Sequence, residues 1–492
     1  MDIPRTQMTP TQHTPLNSLQ TQLYDTTDTI CAISTPPGRG GIAIIRLAGP
    51  DALPIAQKIW KGRPLADLPS HTAHLGQIVD PADPSTPLDT PLITIFRAPR
   101  SFTGQDTIEF AVHGSTYIQT SLIRLLTSVG ARLALPGEFT RRAYTSGRLD
   151  ITQAEAIADI IAADSRAAHR IATTQMQGSL ATRLDQIRGQ LLHIASLLEL
   201  ELDFSEEHVE FVPRPTLRDL AATTIDQIDH LAATFTTGQA IRDGIPTAII
   251  GAPNAGKSSL LNLLLDYERA IVTPIPGTTR DLIEDTLLIG DYRLRLIDTA
   301  GLRHTTDPIE TIGINLTNQA ITRAALILHV HDITTPLPSP SDPHSPLRNI
   351  PAGTPVITIL NKTDLTPHPT LRHLINTANT TNSDADTTDT IAISAQNREG
   401  IDRLRQTILD TIHTHIDPTP DDIILTSERH TQALQATSAA LRQVIEGLDT
   451  TLPTDLIALD LRTAIAHLTT ITAPITTPDL LNNIFSHFCV GK

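Results

Sequence analysis

The chain has 492 residues, of which 40% are apolar and 3% are aromatic, and its formal net charge is −16. This charge argues against non-specific nucleic-acid binding through a large basic face, and so few aromatic rings leave little material for base-stacking platforms. The two cysteines, Cys31 and Cys489, exclude a disulfide scaffold and favour a reducing compartment.

The length of the chain predicts about three domains. No apolar stretch approaches the roughly 18 residues that are needed to span a bilayer. Residues 1–25 are polar and lack the apolar core of a signal peptide. We therefore expect a cytoplasmic protein without a membrane span, with a disordered extension over residues 1–27.

Residues 28–149 are predicted to form an α+β domain. Strand-like runs, rich in β-branched and other apolar residues, cover 29–34, 41–46, 91–96 and 107–112. A glycine-rich loop joins the first two runs, and a helix is predicted over residues 117–128.

Helical periodicity follows this region. Alanine, leucine and isoleucine recur at helical spacing from Ile151 through Glu201. The same pattern returns from Ser427 through Leu468 and again over residues 478–488. The sequence therefore predicts two helical segments that flank a central region of another kind.

The central region opens with a phosphate-loop pattern. Residues 251–258 read Gly-Ala-Pro-Asn-Ala-Gly-Lys-Ser and follow an apolar, strand-like run, which is the context that this motif requires. The loop N–H groups and the start of the next helix are expected to hold the phosphates. Lys257 is expected to reach the β- and γ-phosphates, and the Ser258 hydroxyl is expected to bind Mg²⁺.

Three further segments occur in the order found in guanine-nucleotide-binding domains. Thr279 is expected to bind Mg²⁺ only when the γ-phosphate is present, and Asp298 ends a strand next to the Mg²⁺ shell. Asp364 can accept two hydrogen bonds from guanine, whereas adenine offers no matching donor pair, so GTP is preferred over ATP. The predicted GTP-binding residues are Asn254, Ala255, Gly256, Lys257, Ser258, Ser259, Thr273, Pro274, Ile275, Pro276, Gly277, Thr278, Thr279, Asp298, Thr299, Ala300, Gly301, Asn361, Lys362, Asp364, Ser394 and Ala395.

These patterns together predict a multidomain fold class. It consists of an α+β N-terminal domain, an α-helical domain, and an α/β P-loop GTPase domain inserted into the helical one. The predicted boundaries place the first helical part at 150–243, the GTPase domain at 244–416 and the second helical part at 417–492. An insertion of this kind is expected to couple the nucleotide state to helix position.

The chain resembles the tRNA modification GTPase MnmE (TrmE) family from residue 28 to residue 492. The residues that carry the resemblance are Thr-Pro-Pro-Gly-Arg-Gly-Gly-Ile at 35–42, Ser-Phe-Thr-Gly-Gln-Asp at 101–106, His-Gly at 113–114, Pro-Gly-Glu-Phe-Thr-Arg-Arg-Ala at 136–143, Leu-Asp-Ile-Thr-Gln-Ala-Glu-Ala at 149–156 and Phe-Cys-Val-Gly-Lys at 488–492. Jointly they are far more specific than the nucleotide-binding motifs.

The resemblance implies a folate-binding N-terminal domain that forms a homodimer. It implies a GTPase stimulated by K⁺ and an FAD-dependent partner that completes a heterotetramer. Such a complex acts on tRNA and adds a carboxymethylaminomethyl-type group at C5 of the wobble uridine, position 34. A tetrahydrofolate derivative, the 5-formyl or the 5,10-methylene form, is implied as the one-carbon carrier.

The resemblance also implies roles for individual residues. Glu310 matches the glutamate that orients the attacking water, and Cys489 lies in the motif at the end of the alignment, where it is implied to be catalytic with Glu310 and Lys257. The implied K⁺ ligands are Asn254, Thr273, Ile275 and Thr278, and the implied folate ligands are Arg46, Glu109, Arg148 and Lys492.

Other interpretations stay open at these positions. Asn254 can stabilise its loop, Glu310 can be a solvated residue at the start of a helix, and Cys489 in its apolar run can be a packing residue. Each folate position, and His113 likewise, can be an ordinary surface or strand-end residue. The chain departs from the usual family pattern at Gln105, Ser115, Arg148 and Ala473.

Two other functions remain in competition. One is a ribosome-assembly GTPase that switches binding without modifying RNA, and such proteins carry a basic RNA-binding module that is not evident after Ser427. The other is a regulatory protein with vestigial hydrolysis, which would need a damaged nucleotide site. Lys257, Thr279, Asp298 and Asp364 are all present.

Overall fold

A computed structural model describes most of the chain. The described residues are 27–203, 213–268, 286–297, 319–336, 346–365, 388–416, 422–450, 452–472, 481, 484–486, 488, 490 and 491. The chain divides into two compact units, one made of Met1–Ala158 with Thr472–Lys492 and the other of Asp159–Ile471.

The first unit is built on a six-stranded sheet. Its strands are β1 (Ile30–Ile33), β2 (Ile42–Ala48), β4 (Thr72–Leu75), β7 (Leu92–Phe96), β8 (Thr107–His113) and β9 (Arg132–Leu133), and a smaller sheet holds β3 (Trp60–Lys61), β5 (Gln77–Asp80) and β6 (Asp83–Asp89). The order in the large sheet is β4-β7-β8-β2-β1-β9, and within it β1 and β9 pair in parallel whereas the other neighbours are antiparallel. Ala43, Ile45 and Leu47 of β2 are buried on one face, as the period of two in a strand requires.

Four helices accompany this sheet: α1 (Ala52–Ile59), α2 (Thr116–Ser128), α3 (Glu138–Thr145) and α4 (Ile151–Ala162). Residues near the C-terminus return to them, because Leu481, Phe485 and Phe488 pack against Ile151 and Ala154. Gly137 precedes α3 with φ at +64°, and a Cβ there would lie 2.7 Å from the carbonyl oxygen of Phe485. Glycine at this position is therefore required by both conformation and space.

The second unit contains an α/β sheet. Its strands are β10 (Ile245–Ile250), β11 (Thr286–Ile289), β12 (Tyr292–Ile297), β13 (Leu326–Asp332), β14 (Val356–Asn361) and β15 (Thr388–Ala392), in the order β11-β12-β10-β13-β14-β15. The β11 and β12 pair is antiparallel and the others are parallel. Strands β10, β13 and β14 are buried along nearly their whole length because both faces of a parallel sheet are covered. Helices α8 (Lys257–Glu268) and α9 (Ile401–His415) belong to this part.

A helical bundle completes the second unit. It contains α5 (Arg166–Met176), α6 (Ser179–Asp203), α7 (Arg214–Asp243), α10 (Glu428–Asp449) and α11 (Thr454–Thr472). The helical pattern predicted from Ser427 to Leu468 thus forms two helices, because Pro453 lies between them and is tolerated only at a helix start. The leucine and isoleucine faces of α6, α7, α10 and α11 share one apolar core.

The α/β part is held to this bundle where the chain enters and leaves it. Gln175 Nε2 on α5 donates to the Ile424 carbonyl oxygen at 2.6 Å, and an Arg242 guanidinium nitrogen at the end of α7 donates to the Thr426 carbonyl oxygen at 2.6 Å. Helix α5 also receives the turn of the β11–β12 hairpin, since the Ala167 N–H donates to the Asp291 carbonyl oxygen at 3.0 Å. These contacts hold the exit crossing and the hairpin turn against helices of the bundle.

The predicted fold class is confirmed, with an α/β domain inserted between two sets of bundle helices. The predicted domain boundaries at 149, 243 and 416 stay predictions. Among the residues that the structure describes, no helix is both long and apolar enough to cross a membrane.

A Gly238→Ala substitution in α7 tests the closest of these contacts. The added Cβ would lie 2.0 Å from the Leu425 carbonyl oxygen and 2.6 Å from a side-chain carbon of Ile424. We expect a loss of about 1–3 kcal/mol in the free energy of unfolding, measured by urea denaturation, because a packed backbone cannot yield cheaply.

The matched control is Gly189→Ala in α6, where a Cβ would meet nothing within 4 Å. Since alanine is the better helix former, this control should gain about 0.5–1 kcal/mol. Equal effects of the two substitutions would show that the approach of α7 to residues 424–425 is not tight in solution.

Candidate functional site: the nucleotide pocket and the Arg46–Glu109 pair

The phosphate loop connects β10 to α8. It starts at Gly251, where φ is +149° and a Cβ would lie 2.1 Å from the Val330 carbonyl oxygen, so only glycine fits against β13. Asn254 takes a left-handed conformation with φ at +63°, and its side chain is exposed. Ser258 and Ser259 are exposed in the first turn of α8, where free N–H groups and the helix dipole favour an anion.

Lys257 bends back over this loop. Its Nζ donates to the carbonyl oxygens of Gly251 and Ala252, both at 2.9 Å. Burial lowers the pKa of the lysine below its usual value. The side chain thus already points at the loop, where a phosphate would offer it a stronger, charged acceptor.

One buried amide connects three of the predicted nucleotide-binding segments. Asn361, at the end of β14, is 2% exposed. Its Nδ2 donates to the Ala255 carbonyl oxygen at 2.9 Å, and its Oδ1 accepts from the Ala395 N–H at 3.0 Å. A Cβ on Gly256 would lie 2.1 Å from Asn361 Nδ2, so the glycine makes room for this contact.

Asp364 is oriented by the last of these segments. The Ser394 hydroxyl, fully buried, donates to Asp364 Oδ1 at 2.6 Å and accepts from the Asn397 N–H at 3.1 Å. The carboxylate therefore has a defined direction before any base is bound. Preorganised acceptors of this kind discriminate strongly between bases that match them and bases that do not.

Lys362 has a partner that the sequence analysis missed. Its Nζ lies 2.6 Å from Oδ2 of Asp332, the last residue of β13. A sequence signal existed, because the mostly apolar run at 325–330, interrupted by His329, is followed by His331 and Asp332. The run before Asn361 ends in the same way, and parallel strands bring such ends together.

In the first unit, the structure brings two of the four predicted folate positions together. Arg46 on β2 faces Glu109 on β8, and its Nε and one terminal nitrogen donate to Glu109 Oε1 at 2.9 and 2.8 Å. The guanidinium lies 5.8 Å from the ring centre of Phe102 and 5.5 Å from that of Phe139, within cation–π range.

The other contacts around this pair complete the picture. Another Arg46 nitrogen donates to the Gly491 carbonyl oxygen at 3.4 Å, so the chain end reaches the arginine. Arg148 is exposed after α3, and its Cγ would lie 3.6 Å from a Cβ on Gly104, which belongs to the same motif as Phe102. Phe102 and Phe139 were not predicted as site residues, although both lie in motifs that carried the family resemblance.

Two alternatives from the sequence are informed by the structure. His113 ends β8 with an exposed ring whose Nδ1 lies 2.7 Å from Asp89 Oδ1, which fits the strand-end interpretation. Gln105 accepts from an Arg142 nitrogen at 3.1 Å through its side-chain oxygen, so this departure from the family pattern keeps an acceptor.

Several predicted site residues lie outside the described part of the chain. They are residues 273–279, residues 298–301, Glu310, Cys489 and Lys492. Their assigned roles stay predictions, as do the Mg²⁺ and K⁺ ligands among them.

The chain matches two family profiles. The one described as the MnmE helical domain covers residues 151–489, and the one described as the GTP-binding protein TrmE N-terminus covers residues 29–148. Among solved structures, a GTP-binding protein from Sulfolobus solfataricus in complex with GDP aligns with 46% of this chain and 67% of its own chain. The identity is 18% and the TM-score is 0.26.

Curated relatives align along nearly the whole chain. A protein named tRNA modification GTPase MnmE from Cytophaga hutchinsonii is 43% identical over 96% of this chain and 99% of its own length. One of the same name from Parabacteroides distasonis is 43% identical over 94% of this chain and 100% of its own. On these matches, the chain belongs to the tRNA modification GTPase MnmE family.

Proposed function

We propose that this GTPase hydrolyses GTP to drive wobble-uridine modification of tRNA, adding a carboxymethylaminomethyl-type group at C5 of position 34. The observation that carries the proposal is the coexistence of two sites in one chain. One is a base pocket ordered through Asn361, and the other is the Arg46–Glu109 pair between two aromatic rings. A ribosome-assembly switch has a use for the first of these but not for the second.

In the nucleotide site, we assign Lys257 to the β- and γ-phosphates and Asp364 to the guanine N1–H and amino group. The exposed Ser258 hydroxyl at the start of α8 fits a Mg²⁺ ligand, with Thr279 as the second. The exposed Asn254 side chain fits a K⁺ ligand together with Thr273, Ile275 and Thr278. These cations supply positive charge beside the transferred phosphoryl group, and Glu310 is assigned to orient the attacking water.

In the first unit, we propose that a 5-formyl- or 5,10-methylene-tetrahydrofolate binds beside Arg46 and Glu109. Both arginine nitrogens donate to Glu109 Oε1, which leaves the second carboxylate oxygen to accept from the pterin amino group. Phe102, about a third exposed, offers a ring for stacking. Arg148 and Lys492 are the proposed cations for the glutamate tail.

Hydrolysis and modification need a mechanical link, and the β11–β12 hairpin is placed to provide one. Thr286 follows the switch segment that contains Thr279, and Ile297 directly precedes Asp298. The opposite end of the hairpin contacts α5 through the Ala167–Asp291 hydrogen bond, and it contacts the segment just before α5 through an Arg293–Asp164 ion pair at 2.6 Å. A shift of either switch would therefore be felt by the helical bundle.

The proposed working form is a cytoplasmic homodimer that joins an FAD-dependent partner in a heterotetramer and acts on tRNA. Cys489 is proposed as a catalytic residue of this assembly. The Arg46–Gly491 hydrogen bond supports that assignment, because Gly491 is two residues from Cys489.

An Asp364→Asn substitution is expected to move base preference from guanine to xanthine. The amide turns an acceptor toward the base into a donor, which suits the extra carbonyl of xanthine. We expect GTP affinity to fall about 100-fold or more while XTP affinity rises, both measured by competition with a fluorescent nucleotide.

Asp410→Asn serves as the control, because Asp410 is an exposed α9 carboxylate that accepts from Gln406. Both affinities should be unchanged in the control. An Asp364→Asn protein that binds GTP normally would contradict the assigned base pocket.

A Glu109→Gln substitution is expected to weaken 5-formyl-tetrahydrofolate binding in calorimetry while GTP turnover is kept. The amide weakens the bond to Arg46 and replaces a charged acceptor, which costs roughly 10-fold or more in affinity. Asp83→Asn on the exposed strand β6 is the matched control and should bind folate normally. Unchanged folate binding by Glu109→Gln would remove the proposed site.

The modification itself is tested by mass spectrometry of tRNA nucleosides from cells that lack this protein. We expect the C5-modified wobble uridine to disappear, and to return with the intact chain but not with one lacking residues 489–492. Unchanged nucleosides in the deletion strain would contradict the proposal and favour the ribosome-assembly switch.

A further inference from the structure

Asp332 lies at the carboxyl-terminal ends of the parallel strands, where the predicted nucleotide-binding segments meet. It ends β13, whose neighbours are β10 and β14, and in the β13–β14 register it stands opposite Asn361. The phosphate loop starts at the same ends of the strands, directly after Ile250. Asp332 is thus in the middle of the predicted nucleotide site without belonging to any of its motifs.

Its carboxylate is engaged on both oxygens. Oδ2 accepts from Lys362 Nζ at 2.6 Å, while Oδ1 accepts from the Thr334 N–H at 3.0 Å and from its hydroxyl at 2.7 Å. Partial burial raises the pKa of Asp332, but the hydrogen bonds from Lys362 and Thr334 outweigh it and bring the pKa to about 2. The carboxylate is therefore charged at every physiological pH and fixed by its own turn.

Lys362 is constrained at its backbone as well. Its φ is +67°, in the left-handed region that a lysine seldom adopts, and its carbonyl oxygen accepts from the Leu365 N–H at 3.0 Å. Thr363, the next residue, donates its N–H to the Ile393 carbonyl oxygen at 3.2 Å. These two hydrogen bonds hold the backbone at Lys362 and Thr363, so the conformational freedom that remains to Lys362 is in its four-carbon side chain.

We propose that Asp332 is a positioning residue for the guanine nucleotide, and that it acts by holding the Lys362 side chain across the base pocket. A free lysine side chain samples many rotamers, and ordering it on binding costs conformational entropy. The ion pair places the ammonium in advance and presents the stem as an apolar surface to the base. This proposal rests on the assignment of residues 361–364 to the base.

An ordinary surface ion pair would have a different signature. Exposed pairs contribute little to stability and nothing to ligand affinity. The Asp332–Lys362 pair is less exposed, with 17% of the aspartate side chain and 32% of the lysine side chain accessible, and its lysine lies between two predicted base-site residues. Asp332 should therefore be needed for nucleotide affinity more than for folding.

The test is a double-mutant cycle in the full chain, with Asp332→Asn, Lys362→Met and the double variant. The dissociation constant of a fluorescent GDP and the thermal midpoint are measured for each. We expect Asp332→Asn to raise the dissociation constant of GDP about tenfold. This is the loss that follows if Lys362 occupies its binding position in only about one molecule in ten. Lys362→Met should weaken GDP at least as much, and the double variant should be no weaker than Lys362→Met.

A conservative variant and a matched control sharpen the result. Asp332→Glu keeps the charge and should recover part of the affinity lost in Asp332→Asn. Asp266→Asn removes an exposed carboxylate that pairs with Arg398 at 3.8 Å in the same sheet domain, and GDP should bind it normally. The thermal midpoints of Asp332→Asn and Asp266→Asn should be alike.

The possible outcomes distinguish the positioning role of Asp332 from the assignment of residues 361–364 to the base. Normal GDP affinity of Asp332→Asn, beside a weakened Lys362→Met, overturns the positioning role and leaves the base pocket standing. Additive losses in the double variant also overturn it, because Asp332 would then act without Lys362. Normal affinity of Lys362→Met overturns both, since the lysine itself would have no place in the site.

Discussion

The nucleotide site depends on the burial of one amide side chain. Asn361 is surrounded by protein, and both of its polar ends are satisfied, one by the phosphate loop and one by the Ala395 N–H. A buried amide that lost either partner would leave a costly unsatisfied group, so the loop and the last segment are held at one distance from β14. Asp364 and Lys362 follow Asn361 directly and inherit its placement.

A second buried polar arrangement supports the first unit. Glu138 and Arg142 on α3 are almost fully buried, and they form ion pairs with each other, with Arg132 and with Asp28. Burial raises the pKa of Glu138, but the hydrogen bond from Arg132 and others outweigh it, so its pKa is lowered. The same helix carries Phe139 toward Arg46. The ion-pair network thus fixes α3, and Phe139, the residue after Glu138, faces Arg46 in the proposed folate site.

The α/β part is inserted into the helical bundle and is held to it by side-chain and backbone contacts. Where the chain leaves the α/β part, Gln175 on α5 and Arg242 on α7 bind the Ile424 and Thr426 carbonyl oxygens, and Gly238 lets residues 424–425 approach α7 closely. The hairpin that joins the two switch segments contacts α5 as well. These contacts join the α/β part to packed helices of the bundle.

The sequence by itself determined the fold class, the nucleotide and the family. Phosphate loops, base-recognition segments and apolar strands are local patterns whose geometry is set by a few adjacent residues, so Lys257, Asn361 and Asp364 could be assigned without coordinates. The pairing of Arg46 with Glu109, the ring of Phe139 and the Asp332–Lys362 contact were decided by tertiary structure. Their partners are separated by 30 to 93 positions in the chain, and only strand register and helix packing bring them into contact.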